Sequence, residues 1–250
     1  MLRFLILLLL VGISTPLMAA QQEPDGAAIL ALAREAAGGD EWANAKTLTL
    51  SGHAVFYGSE GHEPKYKADD YRMWREYDLD RQSAHGAEGK VRIISKSGGK
   101  TVFEVGYDGE TTWTEKGILP KDVADKYWAN NFGFGIIRHA DKPGFTATRL
   151  ADDLFDGHKI YVVELKDPQG GKTLFGIDQQ MHAIRTLAFD TPRGWHRRTY
   201  RDFVMLENPR WLQARHVTLY YDDRKANEVF WTETRVNAAI DNELFKAPEN

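Results

Sequence analysis

AAILALAREAAGGDEWANAKTLTLSGHAVFY, residues 27–57, changes its hydrophobic period once, and that change decides the fold. Over Ala27–Ala37 the apolar residues Ile29, Leu30, Leu32, Ala33 and Ala36 share one broad stripe at helical spacing. Asp25 precedes the stripe as a candidate N-cap, and Gly38-Gly39 follows it as a stop. A further turn is expected over Asp40–Asn44. From Lys46 the period becomes two: Leu48, Leu50, Ala54 and Phe56 take one face, and Thr47, Thr49, Ser51 and His53 the other. That is the pattern of a half-buried strand.

Most of the remaining chain repeats this pattern. Strands are expected over Tyr66–Asp78, Lys90–Ser95, Thr101–Tyr107, Thr111–Glu115, Phe145–Ala151, Lys159–Lys166, Thr173–Asp178, His182–Phe189, Trp195–Met205, Trp211–Tyr221 and Glu228–Val236. The separators carry turn chemistry: Ser97-Gly98-Gly99, Asp108-Gly109, Pro168–Gly171, Asp178–Met181 and Asp222–Arg224. Each predicts an antiparallel hairpin, and together they predict one large meandering sheet. The interval Leu119–Asp141 breaks the rhythm. Pro120 opens KDVADKYWANNF and FGFG stands at 132–135, which reads as a helix followed by an irregular loop able to cover one mouth of the sheet as a flap.

The chain begins MLRFLILLLLVGISTPLMAA, a basic residue, an apolar run and a small-residue exit, so residues 1–20 read as a secretory signal peptide cut after Ala20. The run is too short to span a bilayer, and no second long apolar stretch follows. Residues 21–250 read as one exported domain in a bacterial periplasm, with no integral membrane segment. Cysteine is absent, so lipid attachment and disulfides are not expected. Loss of Arg3 leaves 31 Lys+Arg against 36 Asp+Glu, a net charge of −5, which argues against nucleic acid as a partner.

Catalytic and metal signatures are missing from the sequence. The histidines at 53, 62, 85, 139, 158, 182, 196 and 216 include no helical i, i+4 pair and no His-Xaa-His pair. Neither a thiol nucleophile nor a Gly-Xaa-Ser-Xaa-Gly elbow is present. The pairs Asp69-Asp70, Asp152-Asp153 and Asp222-Asp223 read as solvated turns, and the glycines at 133 and 135 lack the spacing of a dinucleotide loop. No catalytic residue, metal or cofactor is therefore expected, and the chain reads as a non-enzyme. Were it a hydrolase, His139 with Asp141 or Asp152 would be the acid–base candidate.

Two features remain. In PRGWHRRTYRDF, residues 192–203, Arg193, Arg197 and Arg201 share a strand face with Trp195, while His196, Arg198, Tyr200 and Asp202 take the other. Such a row could clamp an anionic head group; its bland alternative is a strand edge defended by charge. Aromatic and apolar residues also recur on alternating strands. They line a cavity if a curved sheet leaves space, and form core if it closes.

The order of these phrases resembles the superfamily of periplasmic lipoprotein carriers and outer-membrane lipoprotein receptors, LolA and LolB, with their lipoprotein-sorting-like relatives. The phrases are a helix ending in Gly-Gly, Trp42, TLTLSGHAVF, VGYDGETTW at 105–113, FGIDQQMHAIRTLAF ending at 189, YRDF at 200–203, LQARHVTLYYD at 212–222 and AIDNELFKAPE at 239–249. The resemblance implies a mainly β fold: a strongly bent antiparallel meander, an unclosed β-barrel of about 10–12 strands wrapped over one or two helices. It implies an apolar concavity for acyl chains, which cost about 0.8 kcal/mol per CH₂ left in water. The expected function is noncatalytic binding of a lipid, lipidated protein or other hydrophobic ligand, with a place in outer-membrane lipoprotein or lipid trafficking. Expected lining residues are Phe56, Met73, Phe103, Trp113, Phe134 and Trp231, with Arg197 and Arg201 at a head group. The alternative is an envelope-stress or assembly module of the same fold that binds a protein partner through its sheet edge or long loop.

Overall fold

The computed structural model describes residues 23–130 and 134–247, so the expected signal peptide at 1–20 lies outside the described residues. Helix α1 spans Gly26–Ala37, and the Asp25 side chain caps it by accepting from the Ala28 N–H at 2.8 Å. Gly38 ends it at φ +135, with its own N–H turned back to the last turn of the helix. A side chain there would strike the Arg210 carbonyl, so both the backbone angle and the space call for glycine. Ile29, Leu30, Ala33 and Ala37 are buried, whereas Leu32 is 37% exposed. The sequence reading placed Leu32 on the apolar stripe; it falls outside the arc of roughly 100° that the four buried residues span. Helix α2, Gly39–Ala43, follows at once and buries Trp42.

Fourteen strands among the described residues form one antiparallel sheet built from two meanders. The first runs through β1 (Thr47–Tyr57), β2 (Pro64–Glu76), β3 (Lys90–Ser97), β4 (Lys100–Tyr107), β5 (Thr112–Thr114) and β6 (Gly117–Ile118). The second runs through β7 (Thr146–Arg149), β8 (Asp153–Phe155), β9 (His158–Lys166), β10 (Lys172–Asp178), β11 (Ile184–Thr191), β12 (Gly194–Glu207), β13 (Arg210–Tyr221) and β14 (Arg224–Val236). Their seam is β1 against β14, from Leu48 opposite Val236 to Phe56 opposite Asn227. All five turn signals join antiparallel neighbours. The sheet ends at β6 on one side and at β7 and β8 on the other, so the barrel is not closed. The strand number exceeds the expected one because β6 and β8, of two and three residues, are too short to show a period.

The seam needs Gly52, because any side chain there would strike the Phe230 carbonyl across the ladder; the register of β1 shifts at this point. On the concave side Leu48, Leu50, Tyr71, Tyr200, Trp211, Val229 and Trp231 join Ile29, Leu30 and Trp42 in one core. A second, smaller core sits on the wing of the first meander. There Trp128 of helix α3 (Lys121–Ala129) packs on Val91 and Val105. The expected helix thus forms, and a 3-10 turn at Phe134–His139 follows, whose Ile136 and Ile137 are buried in the main core. A final 3-10 turn, Asn242–Phe245, returns to the outer side of the wing.

Candidate ligand-binding site

The concave face of the sheet encloses an open cavity of about 840 Å³, within the range of roughly 300–1,000 Å³ usual for small-molecule sites. Alternation along β1, β2, β4 and β14 aims Leu48, Leu50, Phe56, Met73, Phe103 and Trp231 into it. Tyr66 stacks on Phe56 with ring centroids 4.5 Å apart, and Tyr71 meets Trp231 at 5.4 Å, so the wall is aromatic as well as aliphatic.

One end of the cavity is closed by Trp42, Tyr77, Arg75 and Trp211. Behind them lies a buried charge cluster. Glu88 is 4% exposed and accepts from Arg75 at 3.1 Å and from Arg81, whose other amino group donates to the Ala84 carbonyl at 2.6 Å. Burial works to raise the Glu88 carboxyl, but the cations around it, Arg75 and Arg81 first and then Arg138, hold the group below the ordinary glutamate range. Arg138, from the 3-10 turn, is buried over three rings: Tyr77 at 4.0 Å, Trp42 at 4.8 Å and Trp211 at 5.0 Å.

The other end opens between hairpins, where Tyr57, Lys65, Arg193, Arg224 and Lys225 form the rim. Helix α3 crosses this region. Trp128 Nε1 donates to Thr112 Oγ1 at 2.7 Å on the wing, while the Asn130 carbonyl accepts from Tyr221 on β13 and from His196 on β12. The interval expected to act as a flap is therefore fastened at α3 to both sides of the concavity. Burial drives His196 down to about 2, with Arg198 adding to the effect, so its ring is neutral. Burial likewise raises Tyr200 to about 12, against an opposing effect from Arg198.

Of the residues expected to line a ligand site, Phe56, Met73, Phe103 and Trp231 are brought together in the cavity. Trp113 is not. It lies on the outer face of β5, 1% exposed, and donates from Nε1 to the Phe245 carbonyl at 3.1 Å. The backbone of Phe134 opens the 3-10 turn, and its side chain lies outside the described residues. Arg197 and Arg201 face outward: Arg197 lies over Tyr220 and pairs with Asp223 at 2.9 Å, while Arg201 pairs with Asp156 and covers Phe155. The same alternation turns Arg198 and Tyr200 inward, and Arg193 reaches the rim from the turn before β12. Sequence reasoning did not reach Lys65, Arg224 or Lys225, which come from hairpin ends far apart in the chain.

The hydrolase candidates are also separate. Asp141 pairs with Arg34, and Asp152 with Arg149 at 3.0 Å. No hydrogen bond joins either carboxylate to His139 among the described residues, and burial lowers this histidine to about 4, with Lys142 contributing. No described helix is long and apolar enough to cross a membrane.

No protein-family model matches the sequence, and no curated protein matches it either. Solved structures do share its fold. A domain from Vibrio parahaemolyticus assigned as an outer membrane lipoprotein-sorting protein domain has a TM-score of 0.56 at 13% identity, covering 88% of this chain and 95% of that one. A DUF1329-family protein from Desulfovibrio piger has a TM-score of 0.59 at 8% identity, covering 88% and 97%. A LolA-superfamily protein from Nitrosomonas europaea has a TM-score of 0.52 at 11% identity, covering 90% and 98%. The chain thus has the LolA-type fold, an unclosed antiparallel barrel with helices in its concavity.

Proposed function

We propose that this protein is a noncatalytic periplasmic carrier that holds a lipid, or the acyl part of a lipidated protein, in the concavity of its sheet. The observation that carries the reading is the open cavity of about 840 Å³ whose depth is walled by Leu48, Leu50, Phe56, Met73, Phe103 and Trp231. An acyl chain moved from water into such a wall gains about 0.8 kcal/mol per CH₂. Ten buried methylenes would then contribute about 8 kcal/mol before the cost of association is deducted. The fold shared with a lipoprotein-sorting domain and a LolA-superfamily protein supports a place in envelope lipid or lipoprotein trafficking.

The test is native mass spectrometry of the purified protein after incubation with phospholipid vesicles, beside a titration with the apolar dye N-phenyl-1-naphthylamine. A one-to-one lipid adduct and saturable dye fluorescence are expected. A protein that takes up neither would move the reading to protein-partner binding at the open sheet ends, where Ile118 and Leu154 are 60% and 67% exposed.

A further inference from the structure

The charge on the cavity wall runs against that of the whole chain. The sequence carries a net charge of −4, yet the wall presents six cations, Lys65, Arg75, Arg193, Arg198, Arg224 and Lys225, against one acid, Asp222. That acid reaches from the β13–β14 turn to the start of β12, where it accepts from the Trp195 N–H at 2.8 Å. Arg75 is balanced by Glu88, and Lys225 by Glu228 at 3.2 Å. Lys65, Arg193 and Arg224 form no ion pair with any described carboxylate, and all three are exposed at the rim.

These three belong to hairpins that meet at one end of the barrel. Lys65 stands at the start of β2 and Arg224 at the start of β14, and the two hairpin tips touch where Gly61 packs against the backbone of Arg224 and Lys225. Arg193 sits in the β11–β12 turn, held by its guanidinium lying 4.1 Å from the centre of the Tyr221 ring. Leu48, Leu50, Met73, Phe103 and Trp231 lie deeper, with Phe56 between them and the rim. The wall is therefore amphipathic along its depth, cationic at the mouth and apolar within.

We propose that the ligand is an amphiphile with an anionic head, a phosphate or carboxylate, whose acyl part lies against Phe56, Met73, Phe103 and Trp231 and whose head is held by Lys65, Arg193 and Arg224. This rests on the carrier reading above. A mouth with several uncompensated cations beside low-dielectric walls attracts an anion and repels a cation. A zwitterionic head brings its own cation to the same place and gains less. A free anion without a chain gains nothing from the apolar wall.

The experiment is displacement of N-phenyl-1-naphthylamine from the purified protein by two monomeric lysolipids of equal chain length, lysophosphatidylglycerol and lysophosphatidylcholine. The proposal expects the anionic lipid to bind at least tenfold more tightly. In a Lys65→Gln/Arg193→Gln/Arg224→Gln variant that ratio should fall to within twofold of one. An Arg197→Gln/Arg201→Gln variant, altered on the outer face, should keep it. Glycerol phosphate alone should not displace the dye. A wild-type ratio near one with the dye still bound would overturn the head-group assignment and leave the carrier reading standing. A ratio that survives in the rim variant, or displacement by glycerol phosphate, would overturn it as well. Failure of the wild type to bind the dye and both lysolipids would remove the carrier reading and this assignment with it.

Discussion

The hydroxyl of Tyr221 donates to the main-chain carbonyl of Asn130 at 2.7 Å, which ties the end of α3 to the inner side of β13. Trp128, two residues earlier, is tied to Thr112 on β5, and in the sheet β5 and β13 are separated by β4, β3, β2, β1 and β14. The helix therefore spans the concavity like a strut. Tyr221→Phe removes one buried hydrogen bond and should cost about 1 kcal/mol in a urea unfolding titration. The amide protons of α3 should exchange faster, while those of β3 and β4 stay protected. Unchanged exchange in α3 would show that the bond does not hold the strut.

Glu88 pairs with the buried guanidinium groups of both Arg75 and Arg81. Glu88→Gln keeps the shape but removes the negative charge that faces both guanidinium groups, and breaking a buried pair in this way costs about 3–5 kcal/mol. The pH dependence has a definite sign. Because the folded carboxyl titrates below its unfolded range, its contribution is complete above roughly pH 4.3 and is lost as the pH falls through the folded value. The stability gap between wild type and variant, measured by denaturant midpoints at pH 7 and pH 3, should narrow at the lower pH. A constant gap would show that charge is not what Glu88 contributes.

His196 offers a second titration of the same sign for a different reason. Its Nδ1 lies 2.9 Å from the Asn130 carbonyl, which can only accept, so Nδ1 carries the proton; Nε2 is buried with no hydrogen-bond partner among the described residues. The folded ring titrates at about 2, whereas an unfolded histidine takes up its proton near 6.5. Acid therefore favours the unfolded chain. Stability should fall by about 2 kcal/mol from this residue between pH 7 and pH 5. Nitrogen-15 NMR should find the His196 ring neutral throughout that interval; a midpoint above pH 5 would contradict its burial.

Period-two alternation made the strands legible, and the five glycine- and aspartate-bearing turns made the hairpins legible, because both signals are local. The seam of β1 with β14 was not readable, since nothing in either strand names a partner so distant in the chain. PRGWHRRTYRDF defeated the choice of face for a specific reason: both of its faces carry arginine and aromatic residues, so alternation separates the two sets without saying which is inside. The structure turns Arg198 and Tyr200 inward, and Arg197 and Arg201 outward. Trp113 misled in a related way, because what buries it is the Phe245 segment from the far end of the chain. Arg193 was named in PRGWHRRTYRDF, but Lys65 and Arg224 were hidden because they join it only where three separate hairpins meet.

The difference between lining and core gives the last prediction. Met73 is half-buried and faces the cavity, whereas Trp113 is 1% exposed under the Phe245 segment on the outer face. Met73→Trp adds an indole ring at a side chain that borders the cavity as well as both cores, and the cavity gives room for the added bulk, so it should block the site more than it strains the fold. Dye affinity should drop at least tenfold, with a small change in the unfolding midpoint. Trp113→Ala should do the reverse. Emptying that core position costs about 3–5 kcal/mol, and the molecules that remain folded should bind dye as before. Equal loss of dye binding in both variants would mean that binding follows global stability and not the cavity wall.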